Sequence, residues 1–293
     1  MGLDEETRLQ LLKSFTEFFA RNLMTYGFEI APFLTGWYNE LVAASVRLDP
    51  TICPHADCVA MCIISSPKMF EKSFLTHLAS WFRSSNVRSL ELVLRKLRSA
   101  TLGVTQSPGL NDPLDWSVLL RISAALEITL RELEQRLPVE QLLLLTPHRF
   151  IPDFEMRPVS RLPVVHMQCA GHVSGLAYFH KPDWKSPQNY PGCSLHHRYG
   201  GWFGFRGVIV FPSLRCPTLP RVEPLSPISP YRPPFPTDTL KYLLAEFRDH
   251  WKANRWRDVG LSEDRHRLYS DAAVSFFLTP PAERATLIEG WFK

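Results

Sequence analysis

Three arginines carry the clearest chemical potential in this chain: Arg206 in GFRGVIV, Arg257 in NRWRDVG and Arg284 in PPAERATL. A guanidinium keeps its charge and pairs with a carboxylate through two parallel hydrogen bonds, so three that converged would make a site for a small polyanion. Spacing leaves the convergence open; the competing reading is three separate solvated arginines. His172, in CAGHVSGLAYFH (169–180), sits among small residues and reads either as a hydrogen-bonded core histidine or as a ligand contact. The run HRYGGWFGFRGVIVFP (197–212) sets Gly200, Gly201, Gly204 and Gly207 around Trp202, Phe203 and Phe205. Glycine weakens a strand interior, so such a run implies a bulge, a bend, or a ligand that needs the backbone close. His196, His197, Arg198 and Arg206 would supply polar contacts to such a ligand. Aromatic, small-residue segments side by side suit a large planar cofactor.

The elements that must position these residues follow from patterning. Residues 4–24 carry Leu11, Phe15, Phe18, Phe19 and Leu23 on one helical face, and Gly27 follows the end. CVAMCIISS (58–66) reads as a buried strand, after which Pro67 opens a helix. Residues 86–102 and 114–137 read as two more helices, and VEQLLLLT (139–146) as a strand. Residues 162–180 and 202–212 read as two long neighbouring strands. Nine of the 25 residues from Pro212 to Pro236 are proline, so that stretch is expected to be an extended connection. Helices follow over 238–252, 263–278 and 281–292. In the last, Thr279 reads as the N-cap, Pro280 as the first helical residue and Glu283 as the partner in a capping box.

Composition narrows the function classes. The 293 residues are 45% hydrophobic and 21% charged, an ordinary globular balance with room for a sizeable core. A net charge of +4 from scattered Lys and Arg gives no nucleic-acid footprint. No stretch is long and apolar enough for a membrane span. The acidic start MGLDEETRLQ fits neither a secretory nor a transit signal, and Thr7 rather than residue 6 carries the hydroxyl a myristoylation motif wants, so a cytoplasmic location is expected. Cys53-x4-Cys58-x3-Cys62 matches neither zinc nor iron–sulfur spacing and reads as buried or loop thiols. Neither GxGxxG nor GxxxxGK[ST] occurs, which removes support for a Rossmann or P-loop nucleotide site.

Seven stretches together resemble the CblC-type cobalamin-processing proteins: YGFEIAPFLTGWYNELV (26–42), SSPKMFEKSFL (65–75), NDPLD (111–115), GHVSGLAYF (171–179), RYGGWFGFRGVIVFP (198–212), WRD (256–258) and LTPPAER (278–284). The resemblance breaks at 83–110, a probable insertion, and in the proline-rich stretch. It implies an α/β (α+β) fold whose sheet and flanking helices are like those of flavin-dependent nitroreductases and flavin reductases. Residues 1–211 would form the cobalamin-binding domain, 212–237 the proline-rich connection, and 238–293 a helical C-terminal cap contributing to a glutathione site.

The same resemblance implies vitamin B12 handling: cobalamin held base-off and stripped of its upper axial ligand. Alkylcobalamins would be dealkylated by glutathione, and cyanocobalamin decyanated reductively with a flavin (FMN or FAD) and NADPH. A plain flavin reductase and a non-catalytic cobalamin carrier are the alternatives. The family's HxxG…GG signature falls on His172, Gly175, Gly200 and Gly201. Its corrin- and tail-lining positions fall on Asp153, Val165, His166, Met167, Gln168, Phe179, Ser194 and Phe205, and its glutathione-binding arginines on Arg206, Arg257 and Arg284. Two positions depart: a cysteine common in relatives is Ser194 here, with Cys193 beside it, and His166 replaces an apolar residue. No metal site of the chain's own is implied, since the corrin holds the cobalt. The glycines of 197–212 would clear space for the corrin, with Gly200 and Gly201 on the cobalamin side and Arg206 on the glutathione side. Implied partners are a CblD-type protein, downstream B12 enzymes and a ligand-linked second copy, with neither nucleic acid nor membrane.

Overall fold

The computed structural model describes residues 3–85, 112–182, 190–228, 237–261 and 267–291. The expected helix 86–102 and nearly all of the expected insertion 83–110 lie outside the described residues. In chain order the elements are α1 (Glu5–Met24), β1 (Phe28–Leu34), α2 (Thr35–Leu41), β2 (Cys58–Ser65), α3 (Thr76–Ser85), α4 (Pro113–Glu134), α5 (Val139–Leu145), β3 (Arg149–Pro152), α6 (Met167–Val173), β4 (Tyr178–His180), β5 (Cys193–Leu195), β6 (Gly204–Arg215), α7 (Thr237–Asp249), α8 (Arg255–Asp258), α9 (Asp271–Leu278) and α10 (Arg284–Trp291). The α/β expectation holds in its coarse form: one antiparallel sheet in the order β1-β2-β6-β3 is flanked by helices.

The sheet is covered on both faces, and that explains the unbroken apolar run in β2. Val59, Met61 and Ile63 pack with Ile209 and Phe211 against Leu11, Phe15 and Phe19 of α1 and Leu119 and Ile122 of α4. The alternate residues Ala60, Cys62 and Ile64 join Val208 and Val210 on the other face, under Tyr38 of α2 and Cys169, Ala170 and Val173 of α6. Asp4 caps α1 by accepting from Thr7 N at 2.7 Å, and Asp112 caps α4 through Leu114 N at 3.1 Å.

Four expectations are corrected. VEQLLLLT forms a helix, α5, with Pro138 fixing its entry. A short apolar run has the same composition in a buried strand and a packed helix turn, so length and pattern do not separate them. Residues 162–180 are not one long strand beside 202–212: His166 caps α6, and only Tyr178–His180 is extended, paired with β5 rather than β6. The capping box at 279–283 does not form. Thr279 Oγ1 donates back to Ser275 O at 2.7 Å, and a 3-10 turn over Pro281–Glu283 precedes α10. The proline-rich connection begins later than Pro212, because β6 runs on to Arg215. There the β2 pairing slips between Cys58 and Val59, which admits a proline without a ladder donor.

Candidate functional site

A bulge in β6 builds the site. Ile63 of β2 pairs with Gly207 and Ile64 with Phe205, so Arg206 is an extra residue without a partner in the ladder. Gly207 takes φ +143°, a conformation closed to most side chains. A bulge shifts side chains by one face. Phe203 and Phe205 therefore join Val208 and Val210 on the α6 side, while Arg206 turns inward, 7% exposed, where its Nε donates to Ser65 Oγ at 2.9 Å. Gly171 of α6 lets the Phe205 ring lie against the helix, since a Cβ there would run into it. The two phenyl rings meet edge-on at 5.1 Å.

At this bulge lies a cavity of about 570 Å³. Of the residues singled out from sequence, Asp153, Val165, His166, Met167, Gln168, Phe205, Arg206 and Arg257 line it. Phe203, Tyr269 and Phe277 complete much of the wall. Tyr269 and Phe277 carried no sequence signal; they arrive from the bend before α9 and from α9 itself and are brought in by tertiary packing. The lining combines apolar and aromatic side chains with two guanidiniums and a carboxyl, which suits a large ligand with a flat apolar body and an anionic companion.

Each polar wall residue is held by a specific partner. Arg257 Nη1 donates to Gly201 O, and its Nε to Asn254 Oδ1 at 3.0 Å. Its guanidinium stacks 4.4 Å from the Trp256 ring centroid and 5.4 Å from that of Tyr269. His166 is fixed on three sides. Its backbone N–H donates to Tyr38 Oη at 2.8 Å, its Nδ1 accepts from Cys169 N at 3.3 Å, and its ring packs 5.6 Å from Phe179. With Nδ1 accepting, the ring proton belongs on Nε2. Burial lowers the pKa of His166, against the opposing effect of its own backbone, so the ring is neutral near pH 7. Gln168 Nε2 donates to Gly192 O at 2.8 Å.

The arginines sit among half-buried carboxyls. Burial raises Asp153, with Arg206 pulling the other way. Burial, then the charges of Asp112 and Asp153, push Asp115 of α4 up to about 7, against Arg206 and Arg284. Arg284 does not line the cavity. Its Nη1 is paired with Asp112 and its Nε donates to Thr279 O at 3.1 Å. Arg206 and Arg257 thus converge on one cavity, and Arg284 adjoins it through the Asp112–Asp115 carboxyls.

The signature residues stand elsewhere. His172 Nδ1 accepts from Phe179 N at 3.2 Å, tying α6 to β4. Gly175 ends α6 with φ +79°, and a Cβ would press on Val222 at 3.0 Å. At Gly200 and Gly201 the space a Cβ would take is filled by Arg257 O at Gly200, and by the Trp256 ring and Arg257 Cα (2.9 Å) at Gly201. The missing Cβ atoms therefore admit α8. His196, His197 and Arg198 likewise lie apart, with Arg198 Nη2 paired to Glu29 at 2.5 Å.

The profile of the methylmalonic aciduria and homocystinuria type C (MMACHC) family matches residues 27–288. The chain belongs to that family. A Danio rerio protein named cyanocobalamin reductase / alkylcobalamin dealkylase is 30% identical over 99% of this chain and 97% of its own length. The Homo sapiens protein of that name is 29% identical over 91% of this chain and 78% of its own. The crystal structure of a Caenorhabditis elegans B12-trafficking protein CblC superposes with a TM-score of 0.71 at 24% identity, covering 97% of both chains, and shows the shared fold.

In this member of the MMACHC family no thiol is exposed. All six cysteines are free and buried. Burial drives Cys193 far up, only partly offset by Arg257, and raises Cys169 to about 11. Ser194 pairs with Phe179 across β4–β5, and its buried Oγ has no partner. Among the described residues no group of His, Cys, Asp and Glu could hold a metal ion, and no helix is long and apolar enough to cross a membrane.

Proposed function

We propose that this chain binds cobalamin base-off and removes its upper axial ligand, by glutathione-dependent dealkylation of alkylcobalamins and by flavin- and NADPH-dependent reductive decyanation of cyanocobalamin. Both activities stand in the name its curated relatives bear. The observation that carries the reading here is the meeting of Arg206 and Arg257 in the cavity that Val165–Gln168 and Phe205 also line. The apolar lining takes the corrin, and the guanidiniums take the glutathione carboxylates.

A free thiol has a pKa of about 8.5 and is mostly protonated at neutral pH. Two cations beside the sulfur favour the thiolate. Held in line, the sulfur forms its bond to the cobalt-bound carbon as the cobalt–carbon bond breaks, leaving its electron pair on cobalt. Such orientation can supply up to ~7–11 kcal/mol of a barrier. The corrin supplies the leaving group; the chain binds, orients and holds charge.

In this reading the sheet works as a nitroreductase-like platform over 1–211. The segment 238–293 acts as a cap that brings Arg257 and Arg284 to it across the proline-rich connection that follows β6. A cytoplasmic location, a CblD-type partner and a ligand-linked second copy belong to the same reading. The test is an absorbance titration of cobalamin with the purified chain: the spectrum is expected to shift to the base-off form. A base-on spectrum at saturating protein overturns the binding mode.

A further inference from the structure

His166 lines the cavity at a position where the family resemblance expects an apolar residue. Its ring is held in place by the chain itself. The backbone N–H donates to Tyr38 Oη at 2.8 Å, Nδ1 accepts from Cys169 N at 3.3 Å, and the Phe179 ring packs 5.6 Å away. An accepting Nδ1 puts the proton on Nε2, and burial keeps the ring neutral near pH 7. Nε2–H has no partner among the described residues. The other polar groups of the wall are engaged. Arg206 donates to Ser65 Oγ, Arg257 to Gly201 O and Gln168 to Gly192 O, and Tyr269 is hydrogen-bonded with Arg257. The Asp153 carboxyl interacts with the Arg206 charge. His166 therefore brings an uncharged, fixed and unspent N–H to the cavity.

A ligand that fills the cavity takes water away from that N–H. A covered donor without an acceptor costs affinity, so the matching ligand carries an acceptor there. Base-off cobalamin carries one that base-on cobalamin lacks. In the base-on form the benzimidazole nitrogen gives its lone pair to cobalt. In the base-off form that lone pair is free and the nitrogen has lost its partner. The nitrogen is uncharged at neutral pH, as the His166 ring is, and it lies on the edge of a flat apolar ring, which suits a ring donor packed beside Phe179. The amides on the corrin rim also accept, but both forms of the ligand carry them and none loses a partner on going base-off.

We propose that His166 Nε2–H hydrogen-bonds the benzimidazole nitrogen that cobalamin releases from cobalt, and that this contact makes the chain selective for the base at the end of the cobalamin tail. The proposal rests on the base-off reading above and deepens it, by giving the released base a named partner.

Three ligands in their methyl forms isolate the contact: cobalamin, the cobamide whose tail ends in p-cresol in place of benzimidazole, and cobinamide, which has no base. The cresol ring keeps a flat apolar body and has no ring nitrogen. His166→Asn keeps a cap on α6 and moves the donor off the Nε2 position. In calorimetric titrations of the full chain, this variant is expected to weaken methylcobalamin by roughly three- to tenfold, the loss of one hydrogen bond, and to leave the other two ligands within about twofold of the parent. Should the asparagine variant fail to fold, His166→Leu makes the same comparison, because the cost of the lost cap falls on all three ligands alike. Unchanged methylcobalamin affinity overturns the proposal. Equal weakening of methylcobalamin and the cresol cobamide also overturns it, by making His166 a packing residue. Equal weakening of all three does so too, by giving the donor to a corrin amide or to the fold. Absorbance of the parent with methylcobalamin separates the two readings. A base-on spectrum at saturating protein sinks the base-off reading and the proposal together; a base-off spectrum with any of those overturning results sinks the proposal alone.

Discussion

Gly201 and Arg257 hold each other in both directions. The Gly201 N–H donates to Arg257 O at 2.8 Å, and Arg257 Nη1 donates back to Gly201 O. A motif that looks like ligand clearance in the sequence is thus a clamp on an arginine of the cavity wall.

That clamp predicts the phenotype of Gly201→Ala. The new methyl would meet the Trp256 ring and sit 2.9 Å from Arg257 Cα, so α8 must shift. The variant is expected to lose ~1–3 kcal/mol of stability by overpacking. Its glutathione saturation curve is expected to move to higher concentration, while the base-off shift survives at saturation. Lost cobalamin binding with unchanged glutathione saturation would return Gly201 to the corrin.

Asp115 predicts a pH dependence. Its carboxyl stays protonated in the folded chain to about 7, through burial and the neighbouring Asp112 and Asp153 charges, against an ordinary value of 3.8. Between those values the folded chain holds a proton that the unfolded chain has released. Its contribution is therefore full below about pH 4 and lost as pH rises through about 7. Asp115→Asn is expected to be more stable than the parent at pH 8, by on the order of 1–2 kcal/mol, and to flatten the stability curve between. Parallel denaturation curves for parent and variant from pH 4 to 8 would contradict the assignment.

His166 separates two roles. Its Nδ1 caps α6 and leaves Nε2–H as the donor at the cavity. His166→Asn keeps a capping oxygen and moves the donor off the Nε2 position; His166→Leu loses both. Cobalamin affinity is expected to fall by roughly three- to tenfold in each, the loss of one hydrogen bond of ~0.5–1.5 kcal/mol. Only the leucine variant should also lose ~1 kcal/mol of stability. An asparagine variant that binds cobalamin as the parent does would exclude the donor role.

Arg284 lies outside the cavity, paired with Asp112 where both side chains are largely buried. Arg284→Ala is expected to destabilise by ~3–5 kcal/mol through the stranded carboxylate. It should raise the glutathione requirement less than Arg257→Ala does. A larger kinetic effect at Arg284, in steady-state glutathione titrations, would place it at the substrate.

Patterning revealed α1 and α4, where one face is buried and the other charged, and β2, whose unbroken apolar run is buried on both faces. It failed where tertiary contacts choose the conformation. FEIAPFL forms β1 although it carries Pro32, because β1 is an edge of the sheet, where a missing donor is tolerated. CAGHV lacks charge and reads as extended, yet the His166 cap and packing on β6 make it helical. The arginine types were legible and their convergence was not. A bulge that turns Arg206 away from the face of Phe205 is a one-residue event in pairing, with only Gly207 to mark it. Tyr269 and Phe277 are ordinary helix-region aromatics until the C-terminal segments fold onto the cavity.

The most direct test pairs binding with chemistry in one variant. Arg206→Gln removes a buried charge that lines the cavity while sparing the apolar wall. Followed by absorbance with methylcobalamin, the variant is expected to shift the spectrum to base-off as the parent does. Its glutathione-dependent dealkylation should fall about 30- to 100-fold, the loss of one charged hydrogen-bonded contact of ~2–3 kcal/mol. Equal dealkylation rates in variant and parent would contradict the central claim that Arg206 holds the attacking thiol's carrier beside cobalamin.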